Sequence, residues 1–251
     1  MAKKLVIGNW KMNPSGVAQA VRLIRAIGKG VRRYKKAEVA VALPHAFLHL
    51  KLPSSLRKGA QDLFYGKGGA FTGEVSGGMV KNLGARYVLV GHSERRALGD
   101  TEEIVNRKMR AAIAAGLVPV LCVGETARDG ESHYLHRVKE ELKSALKRLS
   151  RAALARVVVA YEPVWAIGEK AKGALPPEEA LHMNLFIRKA FSDVAGEQAA
   201  RKLKVLYGGS VTPANAGAFL AEGKMDGILV GRESLDSKRF LAIVRAAHLA
   251  R

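Results

Sequence analysis

The chain has 251 residues, 48% of them hydrophobic, enough to bury a sizeable core in one large domain or two small ones. Its 42 Lys and Arg against 22 Asp and Glu give a formal net charge of +20, a field that attracts phosphorylated metabolites, nucleic acid or acidic membrane surfaces alike. A single cysteine, Cys122, excludes an internal disulfide and has no metal-ligand cluster around it; there is no signal-peptide pattern and no apolar run of bilayer length, so the expectation is a cytoplasmic protein outside the membrane.

In chain order, apolar runs alternate with amphipathic segments. Residues 5–7 read as a short strand that ends in Gly8, Asn9, Trp10 and Lys11, followed by a helix from about Ser15 with Val17, Val21, Ile24 and Val31 at helical spacing. Residues 39–43 form a second strand, stopped by Pro44, and 60–64 a weak third. The fourth, 87–90, runs into Gly91, His92 and Ser93. Asp100 with Glu103 three positions on predicts a helix start. Residues 118–123 give the fifth strand, and Leu135, Val138, Leu142 and Leu146 mark an amphipathic helix after it. The sixth strand, 157–161, is followed by a helix opened by Pro176 and Pro177. The seventh, 204–207, leads into Gly208, Gly209 and Ser210, with Thr212 as cap and Pro213 opening a helix. The eighth, 227–230, ends in Gly231 and Arg232 before a last helix.

Strands without polar alternation are buried on both faces, as in parallel sheets. Eight βα units in about 250 residues predict a closed (β/α)8 barrel, an α/β fold of eight parallel strands with outer helices, spanning residues 1–251 as one catalytic domain. A doubly wound sheet is the competitor, but no G-x-G-x-x-G follows the first strand.

In such a barrel the carboxyl ends of the strands converge on one face. There the sequence places Asn9 and Lys11, which share a face at period two, then His92, Glu162, Gly209 with Ser210, and Gly231 with Arg232. Glycines after strands seven and eight are where such barrels hold a phosphate on backbone N–H groups. Glu162 sits before Pro163, which ends the strand, and Val164, Trp165, Ala166, Ile167 and Gly168 make an unusually apolar loop. That loop is either an ordinary turn beside a solvated Glu or a lid that shuts water away from a base. Each residue has an ordinary reading alone: His92 as a buried histidine, Lys11 as surface charge, the glycines as turn formers. At five different strand ends the ordinary readings require a coincidence. The remaining basic residues are spread over the expected helices, for example Arg22, Arg25, Lys29, Lys139 and Lys143. They lack interleaved aromatics and read as a solvated basic surface, with polyanion or nucleic-acid binding as the alternative.

The motifs G-N-W-K-M-N (8–13), A-F-T-G-E-V-S (70–76), V-G-H-S-E-R-R (90–96), C-V-G-E-T (122–126), A-Y-E-P-V-W-A-I-G (160–168), Y-G-G-S-V (207–211) and L-V-G-R-E-S-L (229–235) resemble the triosephosphate isomerase family from end to end and in order. The resemblance implies cofactor-free, metal-free interconversion of dihydroxyacetone phosphate and D-glyceraldehyde 3-phosphate, a reaction of glycolysis and gluconeogenesis. It implies Glu162 as general base and His92 as a neutral electrophile, kept neutral by the helix that opens at Ser93 and Glu94; that device, like lid closure, is an established property of the family rather than a deduction from spacing. It further implies Lys11 as a cation near substrate, Asn9 as an amide donor, and phosphate held on backbone N–H groups of Gly168, Ser210, Gly231 and Arg232. Residues 163–168 become the lid, Ile167 and Leu229 an apolar clamp over the base, and Tyr207 and Ser210 the latch of the closed lid. The Gly-rich stretch 65–78 around Thr72 is implied to dock beside a partner's site in a homodimer. Two departures stand out. Glu169 and Lys170 replace the family's usual Thr-Gly in a lid that is two residues longer, and Arg232 replaces the usual second glycine after strand eight.

Overall fold

A computed structural model describes residues 3–128, 132–166, 173 and 175–250. Its strands are β1 Lys4–Asn9, β2 Ala37–Leu43, β3 Arg57–Ala60, β4 Tyr87–Val90, β5 Val118–Val123, β6 Val158–Tyr161, β7 Lys204–Tyr207 and β8 Gly227–Val230. Each pairs in parallel with its sequence neighbour, and β8 pairs with β1 to close the barrel. The helices are α1 Val17–Val31, α2 Gly77–Asn82, α3 Ser93–Ala97, α4 Glu102–Ala114, α5 His133–Leu146, α6 Arg151–Leu154, α7 Pro177–Ala195, α8 Glu197–Lys202, α9 Ala216–Ala221 and α10 Ser237–Leu249. The expected (β/α)8 barrel is therefore the observed fold.

Strand periodicity divides the core in two. Leu5, Ile7, Ala40, Ala42, Leu89, Val120, Cys122, Val158, Ala160, Leu206 and Leu229 fill the lumen. Their neighbours of opposite parity, Val6, Val39, Val41, Val88, Val90, Leu121, Val159 and Val205, face the helices. Small lumen residues such as Ala40, Ala42 and Ala160 leave room for larger ones opposite, so the barrel is packed rather than hollow.

The structure moves several expected boundaries. The third strand lies at Arg57–Ala60 rather than 60–64, because Leu63 is buried beneath the following loop instead of in the sheet. Helix α1 starts at Val17, whose side chain is exposed; Ala20, Ile24, Ile27 and Val31 form its inner face. The cap of α4 is Thr101, which accepts from Ile104 N at 3.3 Å, while Asp100 is buried in an ion pair with Lys108 at 2.7 Å. Thr101→Ala should cost about 1 kcal/mol of stability, read as a lower urea midpoint at unchanged slope. Residues 212–215 form a turn ahead of α9, because the Asn215 side chain bonds Thr212 N and Ser210 O and folds that loop back on itself. Among the described residues no helix is long and apolar enough to cross a membrane.

Candidate active site

The lumen series leads directly to the mouth. Two positions beyond Ile7 comes Asn9; two beyond Ala160 comes Glu162; two beyond Leu206 and Leu229 come Gly208 and Gly231. Parity aims all four at the mouth. His92 belongs to the helix-facing parity of Val88 and Val90, and Gly91 corrects this: at φ +71° it turns the chain so that the imidazole enters the site. These groups border a cavity of about 370 Å3 together with Lys11, Gly209, Ser210, Leu229 and Arg232.

Glu162 is 2% exposed, and its backbone N–H still bonds Val123 O at 2.8 Å, so the sheet holds it one residue past β6. Its Oε2 accepts from Ser93 N at 3.2 Å. Its Oε1 lies 3.4 Å from His92 Nε2 and has no hydrogen bond among the described residues, which leaves it available as a proton acceptor. The Cys122 thiol sits behind it; burial first, then the Glu162 charge, push that thiol well above its ordinary range, so it stays protonated.

His92 is the N-cap of α3 and accepts at Nδ1 from Glu94 N at 3.2 Å. A ring that accepts a backbone N–H at Nδ1 carries its proton on Nε2, which makes the imidazole a neutral donor at the border of the cavity. Lys11 adopts φ +51°, a left-handed backbone uncommon for a branched-chain or long side chain. Three bonds over-determine it: Lys11 N to Asn9 Oδ1 at 3.0 Å, Gln61 Nε2 to Lys11 O at 2.9 Å, and Lys11 Nζ to Glu94 Oε1 at 2.6 Å. Such a conformation costs on the order of 1–3 kcal/mol and persists where the surroundings fix it, often at functional sites.

Beyond the end of β7, the N–H groups of Gly209 and Ser210 make no backbone hydrogen bond among the described residues. Leu229 is buried against the cavity, and the hydroxyl of the buried Ser234 bonds Gly231 O at 2.6 Å, which fixes the turn after β8. Arg232 is exposed and lines the cavity.

Of the expected lid, Pro163 to Ala166 is described, with Val164–Ala166 a single 3-10 turn; Ile167 and Gly168, and the departures Glu169 and Lys170, lie outside the described residues. The described part carries a polar clamp that sequence reasoning did not assign. Glu125 is fully buried and its Oε1 accepts from Trp165 Nε1 at 3.0 Å, Tyr161 OH at 2.8 Å and Arg128 Nε at 3.1 Å, while Val164 N bonds Glu125 O at 2.9 Å. Arg128 continues to Glu179 at 2.8 Å, the first turn of α7. Burial, then the Glu125 charge, raise the Tyr161 phenol far above its ordinary value, so it remains a donor. Ser210 Oγ donates to Ala166 O at 2.6 Å, while the Tyr207 hydroxyl is buried beside the backbone of Leu175. Glu125 sits in the C-V-G-E-T motif, so its position was visible in the sequence; its role was not, because the donors come from residues 3 to 40 positions away.

A closed barrel whose mouth joins a buried carboxylate, a neutral imidazole and a strained lysine defines a (β/α)8-barrel enzyme. A family model described as "Triosephosphate isomerase" matches residues 4–247. Proteins named triosephosphate isomerase are similar over nearly their whole length: that of Dechloromonas aromatica is 44% identical over 99% of this chain and 100% of its own, that of Paracidovorax citrulli 42% over 98% of each, and that of Endomicrobium trichonymphae 39% over 98% and 99%. The chain belongs to the triosephosphate isomerase family.

Proposed function

We propose that this chain, as one catalytic domain over residues 1–251, interconverts dihydroxyacetone phosphate and D-glyceraldehyde 3-phosphate, a step of glycolysis, with its own residues in the following roles. Glu162 takes the proton from the carbon next to the carbonyl and returns it to the neighbouring carbon. The enediolate that forms between these steps needs donors aimed at its oxygens. His92 Nε2–H supplies one and shuttles protons between the two oxygens; Lys11 supplies positive charge and Asn9 an amide donor. The phosphate rests on backbone N–H groups around Ser210, Gly231 and Arg232, and on Gly168 of the lid. Pro163 to Gly168 close over the base; Ile167 and Leu229 keep water from the base, and the closed lid holds the enediolate, which when exposed expels its phosphate by elimination. The observation that carries this reading is the unbonded Oε1 of a 2%-exposed Glu162 set 3.4 Å from a histidine nitrogen that bears the proton. The test is turnover of glyceraldehyde 3-phosphate, coupled to reduction of dihydroxyacetone phosphate; a folded protein with no turnover refutes it. Neither the family nor the named relatives support the nucleic-acid alternative.

Arg232 adds a guanidinium at the phosphate end. Arg232→Gly should raise KM about fivefold at low salt with kcat unchanged, the equivalent of about 1 kcal/mol for a solvent-screened charge contact. An unchanged KM confines Arg232 to its backbone N–H.

The functional unit is a homodimer through the loop around Thr72. Supporting this, Phe71, Thr72 and Met79 are exposed, and a cavity of about 420 Å3 beside the site, bordered by Lys11, Met12, Glu94 and Leu98, leaves Met12 94% and Leu98 75% exposed. Sedimentation should give a dimer for the wild type and a monomer of much reduced activity for Thr72→Arg; a fully active wild-type monomer excludes it.

A further inference from the structure

The face opposite the mouth carries a cavity of about 430 Å3 at the N-terminal ends of β3 and β4. Arg57, Lys58, Lys81 and Arg86 border it and no acidic side chain does. Two of these cations are fixed. Lys58 Nζ donates to Leu48 O and Leu83 O at 2.6 Å each, and Lys81 Nζ donates to Gly116 O at 3.0 Å. Gly84, at φ +83°, turns the chain beside them, and a Cβ there would stand 3.9 Å from Lys58 Nζ. Arg86 has one carboxylate nearby, Glu38 at 3.5 Å; Arg57, Lys58 and Lys81 have none among the described residues.

Four cations border one cavity and three of them have no carboxylate partner among the described residues, so their mutual repulsion is left for an anion to relieve. Carbonyl partners hold the two lysines in place, so little side-chain freedom remains to be lost on binding. Burial lowers the Lys58 ammonium from its ordinary value. A carboxylate would offset one of the four charges. A chain of phosphates offsets several at once and offers oxygens to both the arginine forks and the lysine points.

We propose that this cavity is an oligophosphate site, separate from the active site, that takes a chain of two or three phosphates, either free or as the tail of a nucleotide. Leu52 and Pro53 at its rim give a nucleoside an apolar surface if one is attached.

The test is a titration with sodium tripolyphosphate followed by amide NMR shifts and by melting temperature, on three proteins: the wild type, Arg57→Ser/Lys81→Ser, and Arg22→Ser/Arg25→Ser. The last removes two exposed charges from α1, so both variants carry the same net charge. Saturable shifts at Gly84 and Arg86, with at least tenfold weaker binding in the first variant and unchanged binding in the second, establish the site; isomerase kcat stays unchanged in both. Shifts confined to Gly209 and Ser210 would mean that only the active site takes the anion, and equal losses in the two variants would mean a diffuse field; either result overturns the proposal. Adenosine triphosphate as a second probe separates the sources: equal or tighter binding admits a nucleotide, and no binding leaves the free oligophosphate.

Discussion

Glu162→Gln should lower kcat for glyceraldehyde 3-phosphate about 10²–10⁴-fold while KM and the melting temperature change little. The substitution keeps the side chain's shape, and its remaining oxygen can still accept from Ser93 N, which lies 3.2 Å from Oε2. What it removes is the capacity to hold a proton. It also sets an NH2 group against His92 Nε2–H, two donors where the wild type has a donor and an acceptor 3.4 Å apart. The phosphate contacts are untouched, so binding survives. A variant within tenfold of wild type would place the base elsewhere; Glu94, beside His92, is exposed and bound to Lys11 at 2.6 Å.

Gly124→Ala should damage both fold and chemistry. A Cβ at this position would overlap the carbonyl oxygen of Glu162 and stand 2.6 Å from its carbonyl carbon and 3.2 Å from its Cα. The obstacle is backbone held in the sheet by Glu162 N to Val123 O, so the strand end itself must shift. The expected cost is about 3 kcal/mol of stability by overpacking. Displacing the base by about 1 Å should cost a further 10²-fold in kcat. Gly217→Ala is the control: it lies in α9 with open space around its Cβ position, and it should stabilise the protein by about 0.5–1 kcal/mol at full activity. Urea unfolding and kcat on the two variants decide the matter; a Gly124→Ala protein with wild-type values on both counts would show that the contact relaxes freely.

The fold was legible because most strands are largely apolar runs closed by a glycine, a proline or a polar residue, and several residues at those ends border the cavity at the mouth. Asn9, His92, Glu162 and Gly231 could be found for the same reason that β1, β4, β6 and β8 could. The exception, β3, opens with Arg57 and Lys58 on the far face of the barrel, and the apolar signal that drew attention to 60–64 belongs to a buried loop residue, Leu63. What stayed hidden were polar partners joined by tertiary packing. A fully buried carboxylate such as Glu125 has the same local sequence signature as a solvated one; only its convergence with Trp165, Tyr161 and Arg128 distinguishes it. The pairing of Lys11 with Glu94 across 83 positions is of the same kind.

The alternation that divides lumen from helix layer also makes the chain unequally forgiving of change in length. One residue added inside β6 would rotate Glu162 away from the mouth and deliver its neighbour in its place, and the same holds for Asn9 in β1. A residue added beyond the strand end alters only the path back to the next helix. Lineages of this barrel can therefore be expected to differ freely in the span between Ala166 and α7, while the count of residues within each strand stays frozen.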